Sequence, residues 1–306
     1  MCSLFGLIDY KNLLSAQIKN NIIAALSTAC EARGTDATGI AYNSKGRLNI
    51  YKRPLAAHLM KWHIPDDAKV IMGHTRLTTQ GNAKHNYNNH PFAGLRADKR
   101  FALAHNGMLH NDRELRKEFN LPKPKIETDS FVAVQLIEQQ QALDFNSLAN
   151  MAEQLEGSFA FTVLDEQDNL YFVKGDNPLC IYSYPKLGLY LYASLEMLLS
   201  KALKMLPYDL GTPERIDPIC GEILCIDNQG NMSGSTFNTE KLFSDLGYFH
   251  TWRVFDPLAS QNNQQYLAEL KATAAGYGFT ADDIDDWLSQ GFFVDEIEEM
   301  MYYGAV

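Results

Sequence analysis

The chain has 306 residues, with 37 Asp and Glu against 27 Lys and Arg and a formal net charge of −10. That length predicts about two structural units, and 46% hydrophobic residues is enough for a real core. No apolar run approaches the ~18 residues of a membrane span, and no basic segment precedes an apolar stretch at the N-terminus, so neither span nor secretory signal is expected. The five cysteines are odd in number and form no CxxC pair, which argues against a disulfide framework or zinc knuckle and for a reducing compartment, taken as the cytoplasm. Charge is uneven along the chain. From Glu240 onward twelve acids face three bases, a net of −9, whereas the first 239 residues carry a net of −1. The step divides the chain into residues 1–239 and 240–306 and argues against nucleic acid as a ligand of the tail.

The N-terminal stretch Met1-Cys2-Ser3-Leu4-Phe5-Gly6-Leu7-Ile8 reads as a buried strand behind a cysteine. Cys2 is small enough to permit removal of Met1. It would then carry a thiol and a free α-amine on one Cα, a nucleophile supplied with its own base. Taken alone, it reads more readily as a small apolar residue, as most second-position cysteines do. Ser15 is placed to cap a helix whose Ile18, Ile22, Ile23 and Leu26 recur at helical spacing. The turn Arg33-Gly-Thr-Asp-Ala-Thr-Gly39 delivers a strand, and a hairpin about Gly46 pairs Ile40–Tyr42 with Leu48–Tyr51.

A second apolar strand, Val70-Ile71-Met72, runs into Gly73-His-Thr-Arg-Leu-Thr-Thr-Gln-Gly81 and then an Asn- and His-rich stretch ending at Asn89-His-Pro-Phe92. This is too polar for a core and too aromatic for a linker, so it reads as a working loop. Arg76 at the strand end is either a surface charge or a ligand-binding group. His74, His85, His90 and His105 lack HxH or HxxxH spacing, so no metal is expected. No cofactor is expected either, since there is no GxGxxG and no phosphate loop.

Phe101–His105 forms a further strand ending in Asn106-Gly107. The next segment has a helix pattern, capped by Asn111 or Asp112, so a hairpin turn fits poorly. An exposed amide beside an unhindered N–H is instead what an oxyanion hole requires. Asp129 precedes another helix, either as a cap or as a carboxylate for a substrate ammonium. From Gly157 strands dominate: Ser158–Leu164, Leu170–Lys174, Cys180–Tyr184, Leu189–Ala193, a helix at Glu196–Leu206, then strands near Arg215–Ile216 and Glu222–Ile226. The order predicts a layered α+β fold rather than a doubly wound parallel sheet.

Cys2, the Arg33–Gly39 turn, the Gly73–Gly81 and Asn89–Phe92 segments, His105-Asn-Gly107 and Glu127-Thr-Asp129 together resemble the class II glutamine amidotransferase domain, the N-terminal-nucleophile hydrolase that forms the glutaminase half of glucosamine-6-phosphate synthase. Gly157-Ser-Phe-Ala160 and Asp176-Asn-Pro-Leu179 look like that family's later strands, and the likeness spans roughly residues 2–227. The resemblance implies a four-layer αββα sandwich and hydrolysis of glutamine to glutamate and ammonia through a thioester. It implies Cys2 as nucleophile with its α-amine as base, and Asn106 and Gly107 as oxyanion donors. Arg76 would hold the substrate carboxylate with Thr79 beside it, Asp129 the α-ammonium, and Gln80 and His90 of the same loop complete the substrate-binding set. Two positions depart from the synthase branch, where an aromatic follows the Arg and a His follows the second Thr; here they are Leu77 and Gln80.

Only about 65 residues follow Glu240, too few for an acceptor-site enzyme, so ammonia is expected to pass to a separate acceptor enzyme; a homo-oligomer is left open. The tail reads as an aromatic segment (Leu242–Pro257), a polar linker, a helix at Tyr266–Ala275, and two copies of a 13-residue repeat starting at Gly278 and Gly291. Each copy gives a short acidic helix, with stripes Ile284/Trp287/Leu288 and Ile297/Met300/Met301, either a solvated face or a partner-docking hairpin. Two other functions compete: hydrolysis of another γ-glutamyl amide or peptide, and an inactive regulatory or scaffold subunit.

Overall fold

Strand β1 (Ser3–Asp9) is buried at every position, and its alternation assigns its two faces to different layers. Leu4 and Ile8 enter an apolar layer shared with Ala102, Ala104, Ala160 and Phe172. Phe5 and Leu7 point the other way, into a layer with Ile22, Ile23 and Leu26 of helix α1 (Ala16–Cys30) and Leu198 and Leu199 of helix α5 (Glu196–Met205). The computed structural model describes residues 2–140, 142–243 and 279–289, together with Leu267, Leu270, Lys271, Ala274, Ile297 and Met301.

β1 sits inside a seven-stranded antiparallel sheet of order β11-β9-β10-β1-β4-β2-β3. Its other members are β2 (Ala37–Ser44), β3 (Arg47–Arg53), β4 (Val70–Arg76), β9 (Cys180–Tyr184), β10 (Leu189–Ala193) and β11 (Glu214–Ile216). A second sheet, of order β13-β12-β8-β7-β6-β5, comprises β5 (Phe92–Arg96), β6 (Lys99–Leu109), β7 (Gly157–Asp165), β8 (Leu170–Lys174), β12 (Glu222–Ile226) and β13 (Met232–Thr236). Its outer face, with Leu103, Phe159, Phe161 and Val173, packs on α2 (Asp112–Glu118), α3 (Phe131–Glu138) and α4 (Phe145–Ala152). The result is the expected αββα sandwich: two apolar layers under helices and one between the sheets.

Local chemistry explains the element ends. The Ser15 hydroxyl accepts the Ile18 N–H and caps α1. Below it, Lys19 and Asp9 form a fully buried ion pair at 3.3 Å, and the ammonium also donates to Asn12 Oδ1 and to the Asp66 and Ala68 carbonyls. Every proton of that buried cation is therefore directed at an acceptor, which is the condition for tolerating it. The Asn111 side chain does not cap α2 as expected. Its amide donates to the Gln154 carbonyl at 2.8 Å and its oxygen accepts the Glu156 N–H at 3.1 Å, tying the helix start to the entry of β7.

The chain divides into two compact units, Met1–Asp245 and Leu246–Val306. In the second, helix α6 (Ala281–Ser289) is capped by Thr280, which accepts from the Asp283 N–H, and Phe279 and Trp287 rings meet edge-on at 5.1 Å. Ile284, Ile297 and Met301 are buried and Trp287 and Leu288 half-buried. The aromatic segment beyond Phe243, the linker at 260–265, Met300 and most of the 266–275 helix and of the second repeat lie outside the described residues.

Candidate active site

The sheet register brings the N-terminus to β4: Ser3 pairs with Thr75 and Leu4 with His74, so Cys2 lies at the end of β1 where Arg76 ends β4. Three contacts hold it there. Its thiol donates to the Leu77 carbonyl at 3.4 Å, its own carbonyl accepts from Arg33 Nε at 3.0 Å, and Thr75 ties β4 to the Cys30 carbonyl at 3.0 Å. Gly34 makes this approach feasible, because a Cβ there would stand 2.4 Å from the Arg76 carbonyl carbon. Desolvation pushes the Cys2 thiol up, opposed by the N-terminal charge, the Leu77 contact and the Arg76 and Arg33 guanidiniums.

Arg76 is buried, and loop backbone shapes it into a fixed fork. Nη1 donates to Asn89 Oδ1 at 2.7 Å, and Nη2 donates to the carbonyls of Gln80 and, at 3.2 Å, of Gly81. These bonds hold the guanidinium in one orientation at the end of β4, beside the residue that begins β1. Burial lowers the Arg76 pKa, and the charges of Cys2, Asp36 and Asp129 raise it, which means these groups share one electrostatic neighbourhood. Asp129 is buried at the turn before α3. Its Oδ2 accepts the Leu109 N–H at 2.7 Å, and it does not cap the helix.

Asn106 and Gly107 lie within β6 rather than at its end, since the strand continues to Leu109. The buried Asn106 amide donates to Ser194 Oγ at 3.4 Å, and that same oxygen accepts the Leu4 N–H at 2.9 Å. The Ser194 N–H returns to the Leu4 carbonyl at 3.0 Å. One hydroxyl thus joins the second sheet's amide to the first sheet's strand two residues from Cys2. Gly107 adopts φ +139°, and a Cβ there would sit 1.9 Å from the Ser158 carbonyl oxygen, so only glycine fits.

The other expected site residues distribute differently. Thr79 is exposed on the loop after β4, and Gln80 reaches Arg76 through its backbone carbonyl rather than its side chain. His90 does not face this group. It is 4% exposed, its ring packs 4.3 Å from His74 and 4.2 Å from Phe92, and neither ring nitrogen has a hydrogen-bond partner. Burial holds His74, His90 and His105 neutral, with His74 pushed down to about 3. Lys52, donating to the Asn89 and Pro91 carbonyls, fixes the segment that carries Asn89. Arg33, Asn89 and Ser194 were not singled out from the sequence. Arg33 and Asn89 stood inside noted motifs, whereas Ser194 lies 190 positions from the Leu4 it binds and carries no local signal.

Residues 74–200 match the family model described as a glutamine amidotransferase domain. Glutamine–fructose-6-phosphate aminotransferase of Sulfurisphaera tokodaii is 33% identical over 190 residues, covering 59% of this chain and 31% of the relative. The Staphylococcus aureus enzyme of the same name is 33% identical over 192 residues, 59% of this chain and 30% of its own length. Among solved structures, glutamine phosphoribosylpyrophosphate amidotransferase from B. subtilis superimposes with a TM-score of 0.61 at 21% identity, over 78% of this chain and 50% of its own. The chain carries a class II glutamine amidotransferase domain. The match to the curated relatives spans less than a third of their length, and the likeness to the B. subtilis structure is one of fold. In this amidotransferase domain, Cys2 stands at the end of β1 beside the end of β4 that carries Arg76, Asn106 and Gly107 lie within β6, and Asp129 lies in the turn before α3. No described helix is long and apolar enough to cross a membrane.

Proposed function

We propose that this amidotransferase domain hydrolyses the side-chain amide of L-glutamine to glutamate and ammonia through a thioester at Cys2. With Met1 removed, the Cys2 α-amine takes the thiol proton as sulfur attacks the amide carbon. The oxyanion that forms is met by the Asn106 amide and the Gly107 N–H, where one such donor contributes about 3 kcal/mol to lowering the barrier. The protonated amine returns its proton to the departing nitrogen, and water then cleaves the thioester. Arg76 takes the substrate α-carboxylate, and Asp129 the α-ammonium.

The observation that carries this reading is the shared Ser194 hydroxyl, which brings the Asn106 amide of one sheet to the β1 strand that begins behind Cys2. The decisive assay follows glutamate and ammonia released from L-glutamine by the processed chain. Equal amounts are expected, and none from Cys2→Ala. Release of glutamate by Cys2→Ala at the parent rate would remove the nucleophile from the account. A γ-glutamyl amide with a larger leaving group is the competing substrate, favoured by the exposed Leu77, whose backbone carbonyl accepts from the Cys2 thiol. If γ-glutamyl peptides turn over and L-glutamine does not, that alternative replaces the first.

The ammonia is proposed to reach a separate acceptor enzyme, with the acidic stretch from Glu240 onward (net −9) as its docking element. Raising salt should then dissociate the pair, and salt-independent association would refute that role.

A further inference from the structure

A buried chain of hydrogen bonds links the strands and turn that carry the polar groups of the site. His74, two residues before Arg76 on β4, is joined through Nε2 to the His105 carbonyl at 2.9 Å. The His105 ring, next to Asn106 on β6, is joined through Nδ1 to Ser130 Oγ at 2.8 Å. Ser130 in turn donates to Asp129 Oδ1 at 3.3 Å, while Asp129 Oδ2 receives the Leu109 N–H. His74, His105, Ser130 and Asp129 are all at least 96% buried, so no water competes for these bonds. With the Ser130 proton directed at the carboxylate, the Ser130 oxygen accepts from His105 in its Nδ1–H tautomer. By the same logic His74 carries its proton on Nε2, because a carbonyl can only accept. The side-chain relay thus runs from the His105 imidazole through the Ser130 hydroxyl to the Asp129 oxygen that Leu109 leaves open, and His74 braces it through the His105 backbone carbonyl.

We propose that Ser130 is a positioning residue that, braced by His105, orients the Asp129 carboxylate for the α-ammonium of the substrate and so sets the enzyme's preference for an α-amino acid. The inference rests on the proposed role of Asp129 as partner of that ammonium. Without the hydroxyl, Oδ1 is left buried and unpaired, and the carboxylate is free to turn about its bond to Leu109. Interactions along the rest of the substrate, to Arg76 and to the oxyanion donors, do not pass through Ser130.

The test compares kcat/KM for L-glutamine with that for its desamino analogue, 5-amino-5-oxopentanoate, in the parent chain and in Ser130→Ala, Ser130→Cys and Ser130→Thr. The parent should prefer glutamine. Ser130→Ala should lower that preference by about 10-fold, the size of one hydrogen bond to a charged group, mainly through KM for glutamine. Ser130→Thr, which keeps the hydroxyl, should restore it, and Ser130→Cys, a weak donor of similar volume, should fall between; it also carries the comparison if the alanine variant does not fold. Equal loss on both substrates in Ser130→Ala or Ser130→Cys would show a general packing role and overturn the proposal. A parent chain that hydrolyses glutamine with no preference over the analogue would instead refute the Asp129 assignment, and one that hydrolyses neither would refute the glutaminase reading itself.

Discussion

Mild acid should destabilise this fold before its carboxylates begin to titrate. His74, His90 and His105 are buried between and beside the sheets, and burial holds each below the ordinary histidine range, His74 at about 3. Because the folded pKa is depressed, the unfolded chain binds more protons than the folded chain as soon as pH falls below about 6.5. Stability is therefore at its plateau above that pH and is lost as pH falls from about 6.5 toward 3. For His74 alone the loss at pH 5 is about 1.5 pH units at ~1.4 kcal/mol each, or roughly 2 kcal/mol. His90 and His105 act in the same direction. The assay is urea unfolding at pH 7.5, 6.5, 5.5 and 5.0 at constant ionic strength, with midpoints converted at fixed m. His90→Leu supplies the internal control. Neither His90 nitrogen has a hydrogen-bond partner, so an apolar replacement orphans nothing and should cost little at pH 7.5 while flattening the slope. A profile flat from pH 7.5 to 5.0, or a His90→Leu slope identical to the parent's, would refute the reasoning.

Single side chains give further expected outcomes. Gly107→Ala must move Ser158 or the β6 backbone, because the new Cβ would start 1.9 Å from a carbonyl oxygen; kcat should drop by roughly 10²–10³ with a smaller effect on KM. Arg76→Lys keeps the charge but not the fork held by Asn89 and the Gln80 and Gly81 carbonyls, so kcat/KM should fall about 10- to 100-fold, and unchanged kinetics would remove Arg76 from the binding role. Lys19→Met leaves Asp9 charged and fully buried, and urea unfolding should report a loss of about 3–5 kcal/mol. A loss below about 1 kcal/mol would mean that the surroundings relax to solvate Asp9.

Much of this architecture was legible because apolar periodicity and glycine chemistry are local. The alternation of Leu4 and Ile8 against Phe5 and Leu7 marks β1, and Ser15 marks the start of α1. What escaped was chemistry without a local signature. The β5–β6 turn is made by Ala97 and Asp98, both at positive φ, where Asn-Gly would have announced a hairpin. Helix α4 is capped by a box of Asp144 with Ser147, without the Glu or Gln that usually marks the third position. Edge strand β13, Met232-Ser-Gly-Ser-Thr236, is exposed along nearly its whole length and so has no apolar pattern to read. At the site, the motif residues lay in view, but their division of labour did not. Gln80 works through its backbone, His90 is part of the core, and Ser194 matters only because folding brings it to Leu4.

The central claim is that the working sulfur belongs to the residue that begins the processed chain. Intact-mass analysis after treatment with a glutamine-mimicking diazoketone, followed by peptide mapping, tests it most directly. The account predicts a chain lacking Met1, carrying one adduct on Cys2, with labelling slowed by L-glutamine and absent in Cys2→Ala. A retained Met1, or an adduct on Cys30, Cys180, Cys220 or Cys225 while Cys2 stays unmodified, would contradict it.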